Sequence, residues 1–178
     1  MSFDFAAKDQ GVYEWLKKAL GDNFPIVQAQ QNAPRPTDSS GEPTTYVTFQ
    51  NGNIIRQGTG DELRYKQGDD AFEVWGQRRV NYLIEAIGAN AFSTISDVQN
   101  SLGLPSCRDL LRARGLGVVD EGNVVDITKF LETEFEPRAQ LTVTFAYTTV
   151  TSEDPGRIEK VNLNGNLNGV EYDFDIEN

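Results

Sequence analysis

Apolar and small polar residues alternate strictly in the stretch Glu134–Val150, which reads EFEPRAQLTVTFAYTTV. The apolar positions are Leu141, Val143, Phe145 and Tyr147, and the positions between them are Thr142, Thr144, Ala146 and Thr148. A period of two that is rich in β-branched and aromatic side chains predicts a β-strand. Since no Gly interrupts the alternating run and no Pro falls within it, this strand can occupy a central position in a sheet.

A second long apolar stretch, Phe72–Gly88, fits two periodicities. A helix would place Val80, Leu83, Ile84 and Ile87 in one stripe, whereas a strand would place Val80, Tyr82, Ile84 and Ala86 on one face. The β-branched content and the glycines at positions 76 and 88 favour one long strand, bent at Gly76.

Three stretches have the helical spacing of apolar residues. They predict helices over Asp9–Leu20, Asn90–Leu102 and Ser106–Arg114. Asp9 and Asn90 are expected as N-caps, and Phe92, Ile95, Val98 and Leu102 as the buried stripe of the second helix. Each of the three helices is followed or ended by a glycine.

Two further helix signals are shorter. Ser106 and Asp109 stand at capping-box spacing, which places the start of the third helix at Ser106. Asp126 is expected to cap a short helix over Ile127–Leu131.

Shorter strands are predicted around turn signals. Pro25–Gln30 and Tyr46–Gln50 read as strands, and Asn51-Gly52 predicts a tight hairpin turn with Ile54–Gln57 as its return strand. Residues 31–45, with three prolines, predict a long loop, and Thr151–Gly156 predicts a turn. Residues 58–70 predict a second loop, within which Leu63 and Tyr65 fit a β-ribbon.

The C-terminal end contains two more strand signals, Ile158–Leu167 and Val170–Glu177. In the second, Val170, Tyr172, Phe174 and Ile176 alternate with Glu171, Asp173, Asp175 and Glu177. The dipeptide Asn168-Gly169 favours a hairpin with the preceding strand. Addition of this segment to the sheet edge of a neighbouring subunit is the alternative.

The order of helix, strands, helices and strands predicts an α+β fold with a mostly antiparallel sheet flanked by a few helices. Residues 1–178 suit a single domain, with loops at about 31–45 and 58–70 and an acidic C-terminal strand or tail at 168–178. No apolar run is long enough to predict a membrane helix.

Composition narrows the possible functions. The formal net charge of -11 argues against a protein that grips nucleic acid through its phosphates. The chain has no histidine, which excludes Ser-His-Asp and Cys-His catalysis. One cysteine, Cys107, cannot form an internal disulfide, and no motif indicates a cofactor or a metal.

Several segments together resemble the phage neck or tail-terminator family, the head–tail joining proteins of tailed and mostly contractile-tail phages and prophages. The landmarks are QNAPRP (31–36), TYVTFQ (45–50), IEAIGANAF (84–92), SCRDLLRARGLGVVDEGNVVDITKFLETEFEPRAQLTVTFAY (106–147) and IEKVNLNG (158–165). The resemblance covers Val12 to Leu167 and rests on this pattern, since none of its motifs is catalytic.

The resemblance implies a structural virion protein of the tail or neck, made in the cytoplasm of the bacterial host. It implies a ring, usually of six subunits, that caps the tail tube and joins it to the head connector. The implied partners are copies of the chain, the tail tube protein, the connector or adaptor and, in contractile tails, the sheath protein. Genomic DNA would pass through the lumen without specific binding, and no membrane is involved.

Two sets of charged residues are candidates for such a ring. Arg108, Arg112 and Arg138 are expected to contact acidic partners on a neighbouring subunit, or else to form a solvated basic face. Glu132, Glu134 and Glu136 precede the long strand at period two and are candidates for an acidic lumen, or else a solvated edge.

Two other functions are the alternatives. A tail tube protein or another connector of similar ring architecture is the closer one. A carboxylate-dependent hydrolase that uses Glu132, Glu134, Asp69 and Asp70 is remote, because neighbouring acidic residues in a sequence are usually surface charge. The expectation is that the chain is not an enzyme.

Overall fold

The computed structural model describes residues 5–30, 34–58, 60–66, 71–131, 134–153, 160–167 and 170–177. For Phe5 and for residues 160–177 the description covers the backbone alone. The helices within these ranges are α1 (Phe5–Leu20), α2 (Ala91–Ser101) and α3 (Pro105–Ala113). The strands are β1 (Ile26–Gln28), β2 (Tyr46–Arg56), β3 (Glu62–Lys66), β4 (Ala71–Ile87), β5 (Gly117–Glu121), β6 (Val125–Asp126), β7 (Lys129–Leu131), β8 (Glu134–Glu136), β9 (Arg138–Glu153), β10 (Lys160–Leu167) and β11 (Val170–Glu177).

The main sheet has the strand order β1-β2-β4-β9-β5, with β3 paired to β4 and β6 paired to β9. Every pair in it is antiparallel except β1 with β2. The predicted α+β fold with a mostly antiparallel sheet is therefore confirmed.

Strands β4 and β9 form the centre of this sheet. They pair without a register shift from Phe72 opposite Glu153 to Ile87 opposite Arg138. Both long strands predicted from alternation are confirmed, and the strand interpretation of 72–88 is the correct one. β9 extends to Glu153, so the turn predicted at Thr151–Gly156 is wrong at its first three residues, and residues 154–156 lie outside the described part.

Two strands follow one another along the same side of β4. β2 pairs with residues 78–87 of β4, and its register shifts between Asn51 and Ile54. The predicted hairpin turn at Asn51-Gly52 is wrong, because β4 is long enough to remain the partner beyond these residues and a bulge absorbs them. β3 pairs with residues 71–75 of β4, so the predicted loop at 58–70 is wrong over Glu62–Lys66 and the β-ribbon is confirmed there.

The core lies between one face of the sheet and helices α1 and α2. Trp15 of α1 meets the ring of Phe145 edge-to-face at 6.1 Å, and Tyr82 meets the same ring at 5.7 Å. The indole nitrogen of Trp15 donates to Ser101 Oγ at 2.9 Å. The alternating residues Val80, Tyr82, Ile84, Ala86, Leu141, Val143, Phe145 and Tyr147 are all buried, as their pattern predicted.

The helix starts differ from their predictions. α1 begins at Phe5, so Asp9 is not its N-cap; the Asp9 carboxylate instead accepts hydrogen bonds from Tyr82 Oη at 2.7 Å and Gln28 Nε2 at 3.0 Å. Asn90 does occupy the N-cap position of α2, without a side-chain hydrogen bond to the helix. Phe92 is 55% exposed and does not belong to the buried stripe.

Two further predictions near the third helix are wrong. α3 begins at Pro105, whose fixed φ and missing N–H suit the first turn, so Ser106 does not cap it. The helix predicted at Ile127–Leu131 is absent from these described residues. Asp126 Oδ1 accepts from the backbone N–H of Thr128 at 2.9 Å, which closes a turn, and Lys129–Leu131 then pairs with Glu134–Glu136.

The C-terminal strands β10 and β11 form an antiparallel hairpin, with Leu167 opposite Val170 and Lys160 opposite Glu177. This confirms the favoured hairpin. Ile158 and the predicted turn dipeptide Asn168-Gly169 lie outside the described residues. The hairpin is a separate two-stranded sheet. No helix in the described part of the chain has the length and apolar character needed to cross a membrane.

Candidate assembly surfaces

The outer half of the β4–β9 pair extends, together with β3, beyond the helices. We call this three-stranded region the arm; it consists of β3, residues 71–77 of β4 and residues 148–153 of β9. None of its described side chains belongs to the buried hydrophobic core. The described side chains of the arm therefore lie outside the core of the body.

One face of the arm is apolar, and two of its side chains are more than half exposed. The register places Leu63 opposite Val74 and Tyr65 opposite Phe72, so that all four side chains share a face. The rings of Tyr65 and Phe72 are 5.4 Å apart. Leu63 is 63% exposed and Tyr65 is 55% exposed. Contiguous exposed apolar side chains of this kind mark interaction surfaces.

The opposite face of the arm is built around Trp75. The guanidinium of Arg64 lies over the indole ring at 4.6 Å, and the indole nitrogen donates to Glu73 at 2.9 Å. Arg64 also pairs with Glu62 at 2.8 Å. Charged groups thus shield this face.

Ion pairs connect the arm to the body at Asp61, which lies between β2 and β3. Its carboxylate accepts from Arg78 at 2.7 and 2.8 Å and pairs with Arg56 at 3.1 Å. The hydrogen bond from Arg78, together with the charge of Arg56, lowers the pKa of Asp61. The Arg78 guanidinium lies within 2.5 to 2.7 Å of the point where a Cβ at Gly76 would lie, so the missing side chain makes room for this contact.

A second surface with exposed apolar side chains precedes β9. The short hairpin β7–β8, which we call the finger, carries Phe130 and Phe135 opposite each other with ring centroids 4.9 Å apart. Phe130 is 59% exposed and Phe135 is 72% exposed. Leu131 is also largely exposed. Sequence reasoning missed this site, because two segments of three residues each are too short to show a clear period.

Two residues that were predicted for different roles form one pair at the base of the finger. Arg138 Nε donates to Glu136 at 2.7 Å, and Arg35 donates to the other oxygen of the same carboxylate at 2.9 Å. Glu134 is exposed on the finger, and Glu132 lies outside the described residues. A role of Glu132, Glu134 and Glu136 in a lumen therefore stays a prediction.

The other two predicted arginines belong to α3. Arg108 donates to the backbone oxygen of Leu102 at 2.5 Å and to Glu121 at 3.0 Å. Arg112 pairs with Asp109 at 3.2 Å, and both side chains are highly exposed. Arg108, Arg112 and Arg138 thus have separate partners within the chain, and their contacts to a neighbour stay a prediction.

The acids proposed for hydrolysis are not assembled into a described site. Asp69, Asp70 and Glu132 lie outside the described residues, and Glu134 is exposed. In the part of the chain that the structure describes, no three acidic or cysteine side chains are grouped so that they could bind a metal ion.

Comparison with known proteins identifies the family of the chain. A search of curated proteins gave no match. The model of the family described as phage neck terminator protein matches residues 9–170, which is most of the chain and includes the whole main sheet and the finger. The chain therefore belongs to the phage neck terminator protein family.

Proposed function

We propose that this structural head–tail joining protein forms a closed ring, of six copies, at the head-proximal end of the tail. The ring caps the tail tube and joins it to the connector, while genomic DNA passes through its lumen. Membership of the neck terminator family supports the head–tail joining role.

The observation that carries this proposal is the position of two surfaces with exposed apolar side chains, the arm and the finger. The finger directly precedes the first residue of β9, Arg138, and the arm contains its last residue, Glu153. The two surfaces differ in shape and sequence, and lie at opposite ends of a strand that is roughly 50 Å long. Contacts between unlike surfaces generate closed rings when the rotation between copies closes.

Charge supports a DNA channel rather than a DNA-binding site. A chain with 27 acidic and 16 basic residues has a net negative charge, which repels phosphates. DNA therefore passes without adhering. The carboxylates Glu132, Glu134 and Glu136 are the proposed lining, and Arg108, Arg112 and Arg138 are the proposed contacts between copies or with neighbouring proteins.

The axial partners are the tail tube protein on one side and the connector or adaptor on the other. In a contractile tail the last sheath ring is a further partner. The chain is made in the host cytoplasm and then resides in the virion.

Native mass spectrometry and negative-stain imaging of the purified chain test this proposal. We expect closed, single-layer rings. Long tubes would instead assign the chain to the tube proteins, which stack repeatedly, and monomers at every concentration would contradict a self-assembling ring. Purified tail tubes give a second measurement, because a terminator binds at tube ends and stops further growth.

A further inference from the structure

A cavity of about 640 Å³ lies between helix α1 and the edge strand β1, and we call it the α1–β1 cavity. Its wall is mostly apolar and includes Tyr13 of α1, Ile26 and Val27 of β1, and Phe49 of β2. A cavity of about 150 Å³ is large enough to hold one benzene molecule, so the α1–β1 cavity has room for two aromatic rings.

Asp9 gives this cavity a negative charge. Its carboxylate lines the cavity and accepts hydrogen bonds from two neutral groups, Tyr82 Oη at 2.7 Å and Gln28 Nε2 at 3.0 Å. No basic side chain pairs with Asp9 in the part of the chain that the structure describes. The cavity therefore fits a protein segment that combines aromatic rings, which pack on the apolar wall, with a cation, which pairs with the carboxylate.

The finger has both of these features. Phe130 and Phe135 are 59% and 72% exposed, and their ring centroids are 4.9 Å apart. Lys129, which precedes them, is exposed and has no acidic partner among the described residues. The carboxylate opposite it in the hairpin, Glu136, already accepts from Arg138. The lysine and the rings start on opposite faces of the finger, and the flexible four-carbon stem of lysine can reach around a ribbon of two strands.

The finger of a chain does not occupy the α1–β1 cavity of the same chain. It borders a different cavity, with Pro43, Gly88 and Ala89 on the opposing wall, and the two cavities have no lining residue in common. A second copy can supply the matching finger. The finger and the α1–β1 cavity are unlike surfaces on different parts of the fold, and repeated contacts between unlike surfaces form a ring when the rotation between copies closes.

We propose that the finger of one copy inserts into the α1–β1 cavity of the next copy. The rings of Phe130 and Phe135 cover the apolar wall, and Lys129 pairs with Asp9 of the next copy. This inference rests on the proposed ring and identifies its lateral contact, of which the arm is not a part. The contact buries two exposed rings and joins two opposite charges that are unpaired within the described residues.

Two full-length variants block the two surfaces separately. The finger variant carries Phe130→Glu and Phe135→Glu. The cavity variant carries Ala6→Arg and Gln10→Arg, at two exposed positions one turn apart on α1 that line the cavity. Each variant should weaken self-association about tenfold or more, because the first loses its apolar anchor and the second obstructs the cavity with long charged side chains.

Each blocking variant has a matched control. For the finger variant the control is Phe92→Glu with Leu104→Glu, which adds the same charge at helical positions that are 55% and 53% exposed. For the cavity variant it is Ser93→Arg with Asn100→Arg, at exposed positions of α2. Both controls should form rings of wild-type size, and circular dichroism checks that all four variants fold.

An equimolar mixture of the two blocking variants provides the decisive measurement. The intact finger of the cavity variant can enter the intact cavity of the finger variant, and the remaining finger and cavity of that pair are both blocked. Native mass spectrometry should therefore show pairs at twice the mass of one chain in the mixture, and monomers for each variant alone.

The charge pair has a separate test in Asp9→Asn and Lys129→Met. The asparagine keeps an oxygen that can accept from Tyr82. Each substitution should weaken self-association about three- to tenfold, and the double variant should associate no more weakly than either single variant. Losses that add in the double variant would show that the two side chains do not meet.

Other outcomes overturn the inference in distinguishable ways. Rings formed by either blocking variant alone would remove this lateral contact and leave the ring intact. Rings of the finger variant that no longer bind tail tubes would assign the finger to the tube protein instead. A mixture that stays monomeric would show that the finger and the cavity do not meet. A wild-type chain that is monomeric throughout would contradict the ring and this contact together.

Discussion

The two halves of the β4–β9 pair share the same strands and an unbroken register, but they differ in burial. In the inner half, Val80, Tyr82 and Phe145 are almost completely buried beneath the helices. In the outer half, which lies in the arm, Leu63 and Tyr65 of the adjoining strand are mostly exposed. Backbone pairing therefore sets the length of the sheet, and the helices determine how much of it becomes core.

We therefore expect the inner half to contribute mainly to the stability of the chain and the arm mainly to the proposed assembly. The inner half gains its stability from apolar burial within one chain, at roughly 25 cal/mol per Å². The arm obtains little of this burial within its own chain and is connected through Asp61 to Arg56 and Arg78. Substitutions in the inner half should reduce the free energy of unfolding, whereas substitutions in the arm should mainly reduce assembly.

The largest expected change in the free energy of unfolding comes from comparing two phenylalanines, one in each half. Phe145→Ala should lower the free energy of unfolding by about 3–5 kcal/mol, because it removes the ring that contacts both Trp15 and Tyr82. Phe72→Ala, in the arm, should cost about 1 kcal/mol or less. Urea unfolding of the monomers measures both values, and equal losses would contradict the division between the halves.

A smaller change in the free energy of unfolding is expected at Tyr82, which is buried. Tyr82→Phe should lower the free energy of unfolding by about 1 kcal/mol at neutral pH, because Asp9 loses a donor at 2.7 Å. Tyr65→Phe, on a ring that is 55% exposed, should change it less. Urea unfolding at pH 7 compares the two variants.

The stability of the inner half should depend on pH through Tyr82. Burial, and then the hydrogen bond to Asp9, raise the pKa of Tyr82 above its ordinary value of 10.0. The unfolded chain therefore loses this proton first, and the stability that Tyr82 contributes is fully present below about pH 10 and declines as the pH rises further. The decline should be shallower in Tyr82→Phe than in the wild type, and identical slopes would contradict this assignment.

The smallest expected effect concerns the attachment of the arm. Because the pKa of Asp61 is lowered, its contribution is present above the ordinary value of 3.8 and is lost as the pH falls through the lower folded pKa. The protection factors of the β3 amides, which are exchange rates corrected for the intrinsic effect of pH, should therefore fall below about pH 4 in the wild type. In Asp61→Asn the exchange should already be faster at pH 6 and should lack this acid step, while the amides of the inner half serve as the internal control.

The long strands were predictable because their alternation is local. The alternation of Leu141, Val143 and Phe145 predicts a strand with one buried face. The same face is buried in the structure. The Asn51-Gly52 turn was mispredicted because a distant strand, β4, continues alongside and keeps these residues extended. The turn propensity of a dipeptide contains no information about a partner strand some thirty residues away in the sequence.

The candidate site was only partly predictable for the same reason. Arg138 and Glu136 were both identified from sequence, but their mutual ion pair and the contribution of Arg35 depend on the fold. The finger was not predicted, because β7 and β8 have three residues each and so are too short to show a clear alternation of apolar and polar residues. The exposure of Phe130 and Phe135 is a property of the folded surface and has no separate sequence signal.

The uninterrupted pairing of β4 with β9 has a mechanical consequence. Sixteen consecutive register pairs run from the body to the tip of the arm, with no bulge or loop between them at which the strands could bend apart. A force applied along the arm loads many backbone hydrogen bonds in parallel, and no single bond has to carry it alone. In a joint between head and tail, the arm would therefore transmit tension to the body as a stiff element.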